Sequence, residues 1–104
     1  MDDSVAEHHS PLRILIADDS DSDRLILKTL LKRLGHEVLD VSNGLDAVSV
    51  FQQESPDLVL LDALMPIMDG MEAARQIKFL AGERLVPLIF LTSLSEAGAL
   101  ARCL

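Results

Sequence analysis

Four times along the chain a short apolar run ends at a polar junction and is followed by apolar residues at helical spacing, and this alternation restricts the fold more than any other feature. Leu12-Arg13-Ile14-Leu15-Ile16-Ala17 reads as a strand buried on both faces, because a strand with one wet face would alternate apolar and polar side chains. It stops at Asp18-Asp19. Ser20 and the acids Asp21 and Asp23 supply a helix cap and first turn, Leu27, Leu30, Leu31 and Leu34 the apolar stripe, Lys32 and Arg33 the last turn, and Gly35 the stop. Glu37 to Val41 forms a second strand, and Asn43 caps a helix with Leu45, Val48 and Phe51 inward, ending before Pro56. Leu58 to Leu61 is the third strand, closed by Asp62, and Asp69 caps a helix with Ala73, Ala74 and Ile77 inward that stops near Gly82. Pro87 to Leu91 is the fourth strand, ending in Thr92, and Ser95-Glu96-Ala97 opens a fourth helix through Leu100, Ala101 and Leu104. The order βαβαβαβα predicts an α/β fold with a parallel sheet covered by helices on both faces, joined by right-handed crossovers.

At 104 residues, 49% of them hydrophobic, there is material for one core and no second domain. Only three aromatic residues are present, all Phe, so the core is aliphatic and no platform exists for stacking bases. The net charge of −8 is concentrated early: Met1 to Asp23 holds seven acids and one base. Such a field repels nucleic acid and anionic lipid and favours a cation or a basic partner. Residues 1–11 read as a flexible acidic tail, in which His8 and His9 are solvated, and residues 12–104 as the folded domain. The lone Cys103 is a packing residue of the last helix and excludes an internal disulfide. No run approaches a membrane span and no signal sequence opens the chain, so a cytoplasmic location is expected.

Three strands end in polar residues that a strand does not need: Asp18 and Asp19, Asp62, and Thr92. In a parallel α/β sheet these ends line the ligand crevice. Neighbouring strands run about 4.8 Å apart, so adjacency of the first and third would bring three carboxylates together, a set of oxygen donors suited to Mg²⁺. Singly, each acid could be a cap or a turn residue, and Thr92 a strand-end cap.

With Asp62-Ala63-Leu64-Met65-Pro66-Ile67-Met68-Asp69-Gly70 and Leu91-Thr92-Ser93 following the Asp18-Asp19 pair, Leu12 to Leu104 resembles the receiver domain of two-component response regulators. The resemblance implies a flavodoxin-like, doubly wound sheet of order 2-1-3-4 here, the family's fifth βα unit lying beyond this chain. It implies that Asp62 accepts a phosphoryl group from a sensor histidine kinase or a histidine phosphotransfer protein. Asp19 and, through water, Asp18 would hold Mg²⁺, or Mn²⁺ in its place, together with Asp62 and the Leu64 backbone carbonyl. Thr92 would be the hydroxyl that turns toward the phosphoryl group and switches an output domain or downstream protein. In this reading the protein is a signalling phosphoacceptor and not an enzyme acting on other substrates. The family's Lys after a fifth strand has no counterpart, since the chain stops first. That stop predicts edge-strand pairing, a homodimer or domain swapping for the 104-residue form. Two other readings stay open: a pseudo-receiver that serves as an interaction module without phosphorylation, and a metal-dependent phosphatase of similar topology, for which Leu64 stands where a second acid is needed.

Overall fold

A computed structural model describes residues 10–91. The elements alternate as β1 (Arg13–Ala17), α1 (Asp21–Arg33), β2 (Glu37–Val41), α2 (Gly44–Glu54), β3 (Leu58–Asp62), α3 (Gly70–Ala81) and β4 (Leu88–Leu91). Residues 1–9 of the acidic tail, Thr92, Cys103 and the expected fourth helix lie outside the described residues.

The strands form one parallel sheet of order β2-β1-β3-β4. Ile16 pairs with Asp40 on one side of β1 and with Leu60 on the other, and Asp62 at the end of β3 pairs with Leu91 of β4. The chain steps from β1 to one side for β2 and to the other for β3, so strand order reverses between β1 and β3. This is the switch point at which α/β sheets of this kind open their crevice.

Side chains alternate across the sheet as strand geometry requires. Leu15, Ala17, Val59 and Leu61 face Ala47 and Phe51 of α2 and Ala73, Ala74 and Ile77 of α3 in the main core. Ile14, Ile16 and Leu60 face the other way and take Leu27 and Leu31 of α1. Burying each of these aliphatic side chains is worth roughly 1.5–3 kcal/mol, which makes the ends of β1 and β3 the best-anchored points of the sheet.

Among the described residues each predicted N-cap is in place. The side chains of Ser20, Asn43 and Asp69 accept from the amides of Asp23, Asp46 and Glu72, satisfying donors that have no partner within the first turn of a helix. Two expected apolar stripes need correction. Of the four leucines in the stripe of α1, Leu30 and Leu34 are exposed, and no residue of that helix is fully buried. Among the described residues α1 is the one helix on its face, so its flanks have no neighbour. In α2, Leu45 is exposed while Gly44, Ala47 and Phe51 turn inward, because Gly44 seats directly on the backbone of Met68 and so sets the rotation of the helix.

Candidate functional site

The crevice is built from the first residues beyond β1 and the last residue of β3. Pairing of Ala17 with Leu61 places the next residues, Asp18 and Asp62, side by side. Both are buried, at 5% and 8% exposure, and Asp19 is exposed beside them. One carboxylate oxygen from each of the three lies within 4.8 Å of the others. The adjacency of the first and third strands on which the sequence expectation depended is therefore present, and the three acids meet on one rim.

Local hydrogen bonds hold the carboxylates in position. The Ser20 amide donates to Asp18 Oδ1 at 2.9 Å, and the Leu64 amide donates to Asp62 Oδ1 at 3.1 Å. In each case an acid accepts from the amide two residues on, the short-range turn for which Asp is suited. Leu64, whose carbonyl is a candidate ligand, is thus fixed beside Asp62, with its side chain exposed.

Asp18 ionises less readily than an ordinary aspartate. Burial pushes its pKa up, the Ser20 amide opposes the shift, and the nearby charges of Asp23 and Asp19 add to it; a hydrogen bond with Asp62 works in the opposite direction. With all three ionised, two buried acids and a third at their edge would repel one another, and a hard divalent cation would relieve that repulsion. An all-oxygen donor set that leaves room for water and a further oxygen fits Mg²⁺.

The loop from Asp62 to Gly70 is closed by backbone contacts that demand specific residues. The Gly70 amide donates to the Ala63 carbonyl at 2.9 Å, and a Cβ at Gly70 would lie 2.2 Å from the Asp62 carbonyl oxygen. The Gly44 amide donates to the Met68 carbonyl at 3.1 Å, and a Cβ there would also lie 2.2 Å from that oxygen. Between these anchors the Met68 amide turns back to the Pro66 carbonyl at 2.8 Å around Ile67, whose φ is +70°. An i to i+2 bond around a residue of positive φ is the rare, strained form of the γ-turn.

Sequence reasoning identified the carboxylates, Pro66, Asp69 and Gly70. It missed Gly44, for which a glycine directly after the Asn43 cap was the available signal, and the strained conformation of Ile67, for which there was none. It also missed Arg24, whose guanidinium reaches the Asp18 carbonyl. Thr92 lies outside the described residues; its neighbour Leu91 is paired with Asp62.

Comparison with known proteins agrees with this geometry. The family model of the response regulator receiver domain matches residues 14–104. Protein PilH of Pseudomonas aeruginosa is 42% identical over 81 residues, covering 78% of this chain and 67% of PilH. The probable transcriptional regulator ycf27 of Pyropia yezoensis is 44% identical over 84 residues, covering 81% of this chain and 33% of that protein, so this chain spans about a third of its length. Among solved structures, the receiver domain of a sensor histidine kinase from Pseudomonas aeruginosa, with magnesium coordinated in its active site cleft, superimposes with a TM-score of 0.77 at 29% identity, covering 88% of this chain and 75% of that one. A parallel sheet of order 2-1-3-4, an acidic rim at its switch point and a family match that spans most of the chain lead to one assignment: the chain belongs to the response regulator receiver domain family.

Proposed function

We propose that this chain is a phosphorylatable receiver in which Asp62 is the phosphoacceptor, residues 12–104 forming the receiver and residues 1–11 an acidic tail. The observation that carries the reading is the meeting of the Asp18, Asp19 and Asp62 carboxylates within 4.8 Å at the switch point of the sheet. Asp18 and Asp19, with Asp62 and the Leu64 carbonyl, would hold Mg²⁺, or Mn²⁺, which accepts the same donors. When bound, the cation neutralises charge on the phosphoryl oxygens.

The remaining chemistry belongs to the chain. A carboxylate oxygen of Asp62 attacks the phosphorus of a phosphohistidine in line, the new O–P bond forms as the P–N bond breaks, and the imidazole departs with the bonding pair and takes up a proton from solvent. Phosphoryl transfer of this kind depends on positioning and charge neutralisation more than on acid–base catalysis. The Leu64 amide orients the nucleophile by holding one of its oxygens. Thr92 then contacts the phosphoryl group, and the altered surface switches an output domain or downstream protein. The donor is a sensor histidine kinase or a histidine phosphotransfer protein in the cytoplasm, and the chain itself binds no nucleic acid.

Incubation with acetyl phosphate and Mg²⁺, followed by intact mass measurement, tests the assignment. The expected result is one phosphoryl adduct that requires Mg²⁺ and is absent from Asp62→Asn. An adduct of equal yield in Asp62→Asn would overturn it.

A further inference from the structure

A cation outside the acidic rim reaches the backbone of its first residue. Arg24 lies in the second turn of α1 with its side chain largely buried, at 18% exposure. Its three nitrogens reach three different groups: Nη1 donates to the Asp18 backbone carbonyl at 2.8 Å, Nη2 to Asp21 Oδ1 at 2.7 Å, and Nε to Asp40 Oδ2 at 3.1 Å. Asp40 sits on β2, where Lys28 holds its other oxygen at 3.1 Å. The guanidinium therefore ties the β1–α1 junction both to the first turn of its own helix and to the neighbouring strand.

The Asp18 backbone is held from two directions. Its amide donates to the Val41 carbonyl at 3.1 Å, and its carbonyl is taken by Arg24. That carbonyl belongs to the peptide linking Asp18 to Asp19, and the next peptide is held by the bond from the Ser20 amide to Asp18 Oδ1, so the planes on both sides of each Cα are held and with them the directions in which the two Cα–Cβ bonds leave the chain. Only a planar fork with several donors can make the three contacts at once, and a lysine of similar length cannot.

We propose that Arg24 is a positioning residue for the divalent-cation site, acting through the Asp18–Asp19 peptide so that both carboxylates converge on Asp62. The inference rests on the reading of the acidic rim as a Mg²⁺ site. It makes a prediction opposite in sign to simple electrostatics. A positive charge close to a cation site weakens binding, so removal of Arg24 would tighten Mg²⁺ affinity if charge alone mattered. If positioning dominates, removal weakens it, and groups that orient metal ligands typically contribute 10–100-fold in affinity.

The experiment is a Mg²⁺ titration of the full chain followed by backbone amide NMR, with thermal melts of each variant without Mg²⁺ to establish that it folds. Shifts centred on Asp18, Asp19 and Asp62 in the unaltered protein establish the site, and their absence overturns the metal reading and this inference with it. Given that site, Arg24→Ala is expected to weaken Mg²⁺ binding by about tenfold or more. Arg24→Lys keeps the charge but not the bridge, and is expected to weaken it to a similar degree. Lys28→Ala removes a neighbouring charge that has no bond to Asp18 and is expected to leave affinity unchanged or slightly raised. If Arg24→Ala does not fold, Arg24→Lys decides. A folded Arg24 variant that binds Mg²⁺ as tightly as the unaltered protein, or more tightly, overturns the positioning role while leaving the metal site standing.

Discussion

Replacing Ile67 by glycine is expected to leave the protein more stable than replacing it by alanine, against the ordinary ranking of the two residues. Ile67 has φ +70° at the centre of the turn from Pro66 to Met68, and it is 76% exposed. A left-handed conformation costs a residue with a Cβ about 1–2 kcal/mol. The side chain contributes little in return, since a quarter of an isoleucine's burial is worth roughly 0.5 kcal/mol. Alanine keeps the Cβ and loses the same burial, so Ile67→Ala serves as the reference. At a position of ordinary φ, glycine is less stable than alanine by about 0.4–1 kcal/mol because the unfolded chain gains freedom. Here relief of the strain exceeds that loss, and Ile67→Gly is expected to lie above Ile67→Ala by about 0.5–1 kcal/mol. For a domain of this size that difference moves the melting temperature by about 2–8 °C. Thermal or urea denaturation of the two variants side by side measures it, and an alanine variant more stable than the glycine variant by the ordinary margin of about 0.4–1 kcal/mol would show that the turn carries no strain.

The acidic rim and its glycine neighbour give two further expectations. Burial, with the charges of Asp23 and Asp19, raises the pKa of Asp18 in the folded state above its ordinary value of 3.8, so protonation of Asp18 favours folding and that contribution is lost as pH rises through the raised value. At neutral pH the ionised group therefore destabilises the fold, and Asp18→Asn is expected to be more stable there than the unaltered protein. Melting curves across pH should show the gap between the two proteins close below the ordinary carboxylate range and narrow at pH 7 when Mg²⁺ is added; a variant no more stable at pH 7 refutes the argument. Gly70→Ala drives a Cβ to within 2.2 Å of the Asp62 carbonyl oxygen, which is backbone and cannot rotate aside. A loss of about 1–3 kcal/mol and a fall in acetyl phosphate labelling of Asp62 are expected, and unchanged values of both would mean that the contact yields freely.

Most of the fold was legible because local signals and long-range requirements agree along this chain. Ser20, Asn43 and Asp69 read as caps and are caps, and β1, β3 and β4 are largely apolar runs too short for a helical period, β2 with Glu37 and Asp40 being the exception. The misread positions, Leu30, Leu34 and Leu45, are those where periodicity sets the spacing of a stripe but not the edge of the helix that meets the sheet. For α2 that choice is made by the contact of Gly44 with Met68, across 24 residues of chain, and no local pattern reports it. At the site, Asp18 and Asp62 were legible because a carboxylate at the end of a buried strand serves no purpose in the strand. Their meeting required knowing that β1 and β3 are neighbours, which the family resemblance supplied and composition could not. Arg24 was invisible for a further reason. An arginine on a helix surface is usually solvated, and its bond to the Asp18 carbonyl depends on the helix folding back over the strand it follows.

The features that oppose stability collect on one rim, and the interactions that fix them in place lie directly beneath and beside it. Asp18 and Asp62 follow Ala17 and Leu61, which are fully buried, so the repelling carboxylates are mounted on the most rigid part of the sheet. The loops between them are linked in series by backbone bonds: Val41 to Asp18, Met68 to Gly44, and Ala63 to Gly70. Asp62 enters this series through the Leu64 amide, which its own carboxylate holds. In the proposed phosphorylated state a group on that carboxylate would compete for the Leu64 amide and so act on the loop that ends in Met68. Because Met68 bonds to the first residue of α2, and no side chain fits between them, movement of the loop must either carry the N-terminus of α2 with it or break the Met68–Gly44 bond. In the proposed phosphorylated state charge at Asp62 would bear on the N-terminus of α2 through these bonds, and the strained turn at Ile67 lies on the path between them.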